Sequence, residues 1–168
     1  MKVAILAGGL GTRLSEETTV KPKPMVEVGG KPILWHIMNI YASFGYREFV
    51  IALGYKGEII KDYFLNYHYY SRSLTVQLKT GNVKIHNDQG EDWIVHLLDT
   101  GTDTNTGGRV KRVAEFIGNE PFMLTYGDGV SNVNIPHLIE FHKQQNTLVT
   151  LTAVRPPARF GQMVIEDH

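Results

Sequence analysis

Four short stretches carry residue types suited to handling phosphate. The first is "ILAGGLGTRL", where Gly8, Gly9 and Gly11 follow an apolar run and Arg13 follows the glycines. Glycines let a backbone turn sharply and approach a ligand, so that N–H groups point at phosphate oxygens. Arg13 adds a fixed guanidinium fork. The spacing matches neither standard phosphate loop. A dinucleotide fingerprint needs glycine where Leu14 stands, and a P-loop needs its second glycine where Arg13 stands. A tight strand-to-helix turn with a solvated arginine is the plain alternative. The position of the loop, at the end of the first strand-like run, favours a ligand site.

The second stretch, "VKPKPM", holds Lys23 between two prolines, which restrain the backbone that would aim its amine. It reads equally as a surface lysine in a turn. In "DTNTGGRVKRV", Thr106, Gly107, Gly108 and Arg109 open a helix. Thr106 is either a helix cap or, with the adjacent N–H groups, a reader of base or sugar, while Arg109 would reach an anion. In "LTYGDGV", Asp128 lies between Gly127 and Gly129 at the tip of a strand. That is the place for a divalent cation beside nucleotide phosphates, or for an ordinary Asp-Gly turn.

These groups need a scaffold, and the hydrophobic pattern supplies one. Residues 3–7 and 48–53 and the run "FMLTYGD" are apolar stretches expected for strands buried on both faces. Between them lie helical patterns. "GGKPILWHIMNIYASFG" has Pro32 at its start, Gly45 at its end and Ile33, Ile37, Ile40, Tyr41 and Phe44 on one face. "GEIIKDYFLNY" carries a stripe of Ile59, Ile60, Tyr63, Phe64 and Tyr67. "GGRVKRVAEFIG" and "IPHLIEFHKQQN" are further helices, and "TLVTLTAV" a further strand. From Leu74 to Asp99, three short runs separated by turn residues read as an antiparallel insertion. The expected fold is α/β, three-layered, with a mostly parallel sheet, helices on both faces and that small insertion. The chain stops in a strand-like run, "RFGQMVIEDH", so residues 1–168 read as one domain truncated at its C-terminus.

Composition narrows the chemistry. Seventeen basic and seventeen acidic residues cancel, which leaves no overall basic footprint for nucleic acid. The absence of cysteine removes disulfides, thiolate catalysis and Cys-type zinc sites. The histidines are scattered, and His137 and His142 do not share a helix face, so no zinc site is read. The N-terminal run is too short to span a membrane and lacks a signal-peptide cleavage site, giving a cytoplasmic expectation.

Taken together, "LAGGLGTRL", "KPKPMVEVGGKPIL", "TGGR" and "YGDG" resemble the sugar-phosphate nucleotidyltransferases along the whole chain. The "TGGR" stretch inclines the resemblance to the cytidylyl branch. It implies a Rossmann-like nucleotidyltransferase fold and the condensation of CTP with glucose 1-phosphate to CDP-glucose and pyrophosphate, feeding deoxysugars into bacterial O-antigen. UTP, dTTP or GTP chemistry, or a non-catalytic nucleotide-binding fragment, are the alternatives. By the same resemblance, Leu6, Ala7, Gly8, Gly9, Leu10, Gly11 and Thr12 wrap the nucleotide and Arg13 holds pyrophosphate. Lys23 neutralises phosphate at the reacting centre, and Thr106, Gly107, Gly108, Arg109 and Gly127 complete recognition. Asp128 binds Mg²⁺. The family also forms homo-oligomers, and it extends beyond this C-terminus to a second metal-binding aspartate, a role for which Asp167 lies too near the end. Five rings, Tyr63, Phe64, Tyr67, Tyr69 and Tyr70, read mostly as a helix stripe, with any exposed remainder suited to an interface.

Overall fold

The computed structural model describes residues 1–9, 21–86 and 90–154. Two compact units divide the chain, Met1–Asn132 and Val133–His168. The first is built on four parallel strands: β1 (Lys2–Leu6), β4 (Glu48–Leu53), β7 (Ile94–Asp99) and β8 (Phe122–Tyr126), in the spatial order β7-β4-β1-β8. Between β1 and β4 come a 3₁₀ turn at Lys23–Met25, the two-residue strands β2 (Glu27–Val28) and β3 (Lys31–Pro32), and helix α1 (Ile33–Ser43). Helices α2 (Gly57–Leu65) and α3 (Tyr67–Ser71) follow β4, and α4 (Thr106–Ile117) joins β7 to β8.

The alternation along the central strands makes three layers. Val3, Ile5, Phe49, Ile51 and Leu53 face Leu34, Ile37 and Met38 of α1 and Ile60 of α2 in one buried cluster. Their neighbours Ala4, Leu6, Val50 and Ala52 face the other way, onto Val113 and Ile117 of α4. Successive side chains of a strand point to opposite faces, so a continuous apolar run with both faces covered must be central. Pro32 precedes α1 with extended dihedrals, and Gly45, at φ +89°, takes the left-handed conformation just past its end.

Several expectations are revised. The run expected to complete the antiparallel insertion, residues 94–99, is instead β7, paired in parallel with β4 from Glu48↔Ile94 to Leu53↔Asp99. Its Val95 and Leu97 pack on the core, which a solvent-side insertion could not offer. Of the expected insertion, β5 (Ser73–Gln77) and β6 (Asn82–His86) form an antiparallel ribbon. β8 is a sheet edge among the described residues, with Leu124 and Tyr126 exposed, not a strand buried on both faces. On α1 the buried face runs through Leu34, Ile37, Met38 and Ala42, and Phe44 is an exposed cap outside the helical phase. Of the stripe expected on α2, Ile59, Ile60, Tyr63 and Phe64 pack on the core, while Tyr67 opens α3 instead.

In the second unit, α5 (Ile135–Gln145) starts at Asn134, whose side chain accepts from the His137 N–H at 3.0 Å. Residues 147–154 form no strand, because a strand needs a hydrogen-bonded neighbour and none of the described residues pairs with them. Among the described residues, no helix is long and apolar enough to cross a membrane. The strand-like run near the C-terminus lies outside the described residues.

Candidate active site

Strand order decides where a ligand can sit. From β1 the chain moves to β4 and β7 on one side, then α4 returns it to β8 on the other. The direction of winding therefore reverses between β1 and β8. In open parallel sheets the crevice beyond the carboxyl ends at such a reversal is the place for a ligand.

Backbone pairing carries this rim past the strand ends. Gly127 N–H donates to Leu6 O at 2.9 Å, Ala7 N–H to Ala52 O at 3.0 Å and Tyr55 N–H to Gly8 O at 3.2 Å. A Cβ on Gly127 would meet Leu6 O at 3.0 Å, so glycine here lets β8 and β1 close up.

Beyond the rim lies an open cavity of about 510 Å³. Leu6, Ala7, Gly8 and Gly9 form one side, and Lys23, Thr106, Arg109 and Asp128 also line it. Residues from four separate stretches of the sequence thus meet in one place. Gly107, Gly108 and Gly127 do not line it: the first two are exposed on α4, and Gly127 is buried beneath the rim. Leu10, Gly11, Thr12 and Arg13 lie outside the described residues. The loop before α4 contributes Thr102, Asp103, Thr104 and Asn105, which sequence reasoning passed over. Its signal was the polar run "DTGTDTN" directly ahead of the glycines.

Arg109, expected to reach an anion, lines the cavity with its side chain largely buried, at 5% exposure. Its Nη1 donates to Leu53 O (3.0 Å), Thr100 Oγ1 (2.7 Å) and Gly101 O (2.7 Å). Its Nη2 donates to Gly8 O (2.8 Å) and Thr102 O (3.1 Å). Burial lowers its pKa from the ordinary value, Arg112 adds to that, and Asp99 opposes it. Thr106 does not cap its own helix either: Asn105 holds that position, with no side-chain capping bond.

Lys23 is held differently. Its 3₁₀ turn is closed by Met25 N–H donating to Pro22 O at 2.8 Å, and Pro24 and Met25 are buried beneath it. Met25 belongs to the α1-side core. A residue in a turn anchored on both sides has little backbone freedom left to lose on binding. Among the described residues Lys23 and Asp128 form no ion pair.

No cluster of three metal-binding side chains exists among the described residues. Asp128 and Asp103 both line the cavity, which gives two hard oxygen donors. One or two carboxylates completed by phosphate oxygens and water is how Mg²⁺ is commonly held, so these residues fit that ion.

The sequence profile of the family described as Nucleotidyl transferase matches residues 2–168. The chain belongs to this family. It is 53% identical to the glucose-1-phosphate cytidylyltransferase of Salmonella typhi over 167 residues, 99% of this chain and 65% of that protein. To the probable glucose-1-phosphate cytidylyltransferase of Bacillus subtilis it is 48% identical, again over 99% of this chain and 65% of the relative. The nucleotidyltransferase chain thus spans about 65% of the length of these curated relatives. Among solved structures, HddC from Yersinia pseudotuberculosis complexed with GMP-PN matches with TM-score 0.62 and 27% identity, over 84% of this chain and 53% of that one. UDP-glucose pyrophosphorylase complexed with UDP-glucose matches with TM-score 0.60 and 19% identity, over 86% and 54%, which shows a shared fold. The three-layer, mostly parallel architecture expected from the sequence is therefore the fold of the family.

Proposed function

We propose that the chain serves the transfer of a cytidylyl group from CTP to glucose 1-phosphate, giving CDP-glucose and pyrophosphate. The observation that carries this reading is the 53% identity to a glucose-1-phosphate cytidylyltransferase over 99% of the chain. The cavity supports it by its place at the strand-order reversal and by its charges. In the reaction a phosphate oxygen of the sugar attacks the α-phosphorus. The bond from that phosphorus to the bridging oxygen breaks, and its electrons leave with pyrophosphate.

No protein nucleophile is needed, so the chain's work is positioning and charge stabilisation. Gly8, Gly9 and the loop through Thr104 and Thr106 would cradle the nucleotide. Lys23 would neutralise oxygens around the reacting phosphorus. Asp128 would hold Mg²⁺, with Asp103 as a second carboxylate; the ion when bound supplies further charge neutralisation. Arg13, in the pyrophosphate role, belongs to the same proposal. So do Mg²⁺ as cofactor, a cytoplasmic setting and a supply of deoxysugars for O-antigen and lipopolysaccharide, which rest on the family resemblance.

A panel of CTP, UTP, dTTP and GTP with glucose 1-phosphate, read by pyrophosphate release, tests the reading. Preference for CTP is expected. Preference for another base would overturn the cytidylyl assignment, and CTP binding without pyrophosphate release would reduce the chain to a nucleotide-binding unit. We also infer a homo-oligomer, supported by Leu65, Tyr69 and Tyr70, which stand exposed around α3 while Tyr63 and Phe64 pack on the core. A monomer in solution scattering at high protein concentration would remove that idea.

A further inference from the structure

Side chains along β8 alternate between the two faces of the sheet. Met123 packs into the α1-side core, and Thr125 hydrogen-bonds Tyr41 of α1. Phe122 packs on the other side, against the cluster under α4. With a period of two, Leu124 and Tyr126 project to that same α4 face. The register agrees, because Tyr126 stands beside Leu6, whose side chain belongs to the α4-side cluster.

Tyr126 and Leu124 share that face but not their surroundings. Tyr126 is 60% exposed and lines the cavity; Leu124 is 45% exposed and does not. Large apolar side chains left open on a strand are either covered by another part of a protein or kept for a ligand. The position of Tyr126 favours a ligand. It closes β8 two residues ahead of Asp128, and both line the same cavity. Thr106 and Arg109, from the start of α4, line it as well, and α4 covers the face to which Tyr126 points. A tyrosine ring also offers wide, rigid contact area with just two side-chain torsions to fix.

Strand order says which part of the ligand the ring meets. The threonine-rich loop follows β7, two strands from β1 on one side, while Tyr126 ends the neighbouring strand on the other. Strands lie about 4.8 Å apart, so loop and ring stand at opposite ends of a span of roughly 14 Å. In the proposed reaction the nucleotide occupies the loop and the glycines after β1, with its phosphates toward Asp128. The ring then stands on the far side of the phosphates, where the second substrate enters. A pyranose with equatorial hydroxyls presents apolar C–H faces, which an aromatic face can cover without disturbing the hydroxyls. We propose that Tyr126 is a contact residue for the hexose of the sugar 1-phosphate, its ring packed against a C–H face of the pyranose. This assignment rests on the nucleotide reading of the cavity.

Steady-state kinetics of the complete enzyme, varying each substrate in turn, provide the test. Tyr126→Ala should raise KM for glucose 1-phosphate roughly ten- to thirtyfold and leave KM for CTP within about twofold. Tyr126→Phe keeps the ring and should stay within about threefold of wild type for both substrates. Leu124→Ala, on the same face outside the cavity, should leave both KM values unchanged. An unchanged KM for glucose 1-phosphate in Tyr126→Ala would make the ring part of a covered apolar strip, and an equal rise for CTP would place it on the nucleotide. A loss in Tyr126→Phe as large as in the alanine variant would replace ring contact by a hydroxyl bond. Each of these overturns the proposal, as would a Leu124→Ala that mimics Tyr126→Ala. Should Tyr126→Ala not fold, Tyr126→Thr, whose β-branched side chain suits a strand, is read by the same criteria. If the wild-type enzyme releases no pyrophosphate from CTP and glucose 1-phosphate, the nucleotide reading fails. Saturation transfer from aromatic protons of the protein to the ring protons of glucose 1-phosphate then judges Tyr126 by itself. Transfer lost in Tyr126→Ala supports the contact; transfer absent in wild type, or unchanged in the variant, refutes it.

Discussion

The two ends of the parallel sheet treat charge in opposite ways. At the amino end, Lys2 of β1 lies 3.5 Å from Glu48 of β4, and His96 of β7 lies 3.1 Å from the same carboxylate. Arg47 and Asp92, just ahead of β4 and β7, pair at 3.1 Å. At the carboxyl end Lys23 and Asp128 have no ion-pair partner among the described residues, and Arg109 is surrounded by neutral oxygens. Charges that satisfy one another contribute to folding; charges left unmatched beside a cavity are available to a ligand. The contrast yields a rule that can be broken. Substitutions at the carboxyl end should change binding and turnover, and those at the amino end only stability.

The largest effects belong to Lys23 and Asp128. Lys23→Ala and Asp128→Ala should each lower turnover of the complete enzyme by orders of magnitude, about a hundredfold or more, with little change in melting temperature. Pyrophosphate release beside a thermal melt checks both. Near-normal turnover in either folded variant would remove that residue from the reaction, and a large loss of stability would show that its charge belongs to the fold.

Arg109 breaks the rule in an informative way, because it lies at the carboxyl end yet is matched. Arg109→Ala leaves the carbonyls of Leu53, Gly8, Gly101 and Thr102 facing inward without that donor. It should cost about 3 kcal/mol or more of stability, by the penalty for buried unsatisfied polar groups. Urea titration measures it; a cost under about 1 kcal/mol would mean that water replaces the guanidinium there.

A smaller effect is expected on the α1 side of the sheet. The Tyr67 hydroxyl accepts from Trp35 Nε1 at 3.1 Å and donates to Glu91 at 2.8 Å, and Lys31 lies over its ring. Burial first, and then the bond to Glu91, push its pKa up to about 12. Tyr67→Phe should cost about 1 kcal/mol, the net worth of one such hydrogen-bond set, and leave CTP affinity unchanged. Altered affinity would link this cluster to the cavity and contradict the contrast between the two ends.

The sequence was most legible where periodicity and glycine chemistry speak locally. The apolar runs of β1 and β4 declared central strands, and Lys23 and Asp128 stood out through their proline and glycine neighbours. What stayed hidden depends on partners distant along the chain. Residues 94–99 look like any short strand, and only pairing with β4 makes them parallel. The role of Arg109 is set by carbonyls up to 101 residues away, which no spacing reveals. Gly54 was passed over because its requirement is volume, visible only once the guanidinium is seated beside it.

The smallest expected effect tests the amino end by itself. The hydrogen bond from His96 is the main cause holding the Glu48 pKa below its ordinary value of 4.5; slight burial opposes it, and Lys2 adds to it. A carboxylate with a depressed folded-state pKa contributes stability above its unfolded pKa and loses it as pH falls through the folded value. The contribution of Glu48 is thus complete above about pH 4.5 and fades below it. Glu48→Gln removes that contribution, so the variant should be less stable than wild type at pH 6, and the gap should close on acidification to pH ~3. Its size should stay under about 1 kcal/mol, because the carboxylate is partly exposed and screened by solvent. Urea titrations across that range read the gap directly. A gap that widened towards low pH would reverse the sign of the linkage, and a change in CTP affinity would deny that the amino end serves stability alone.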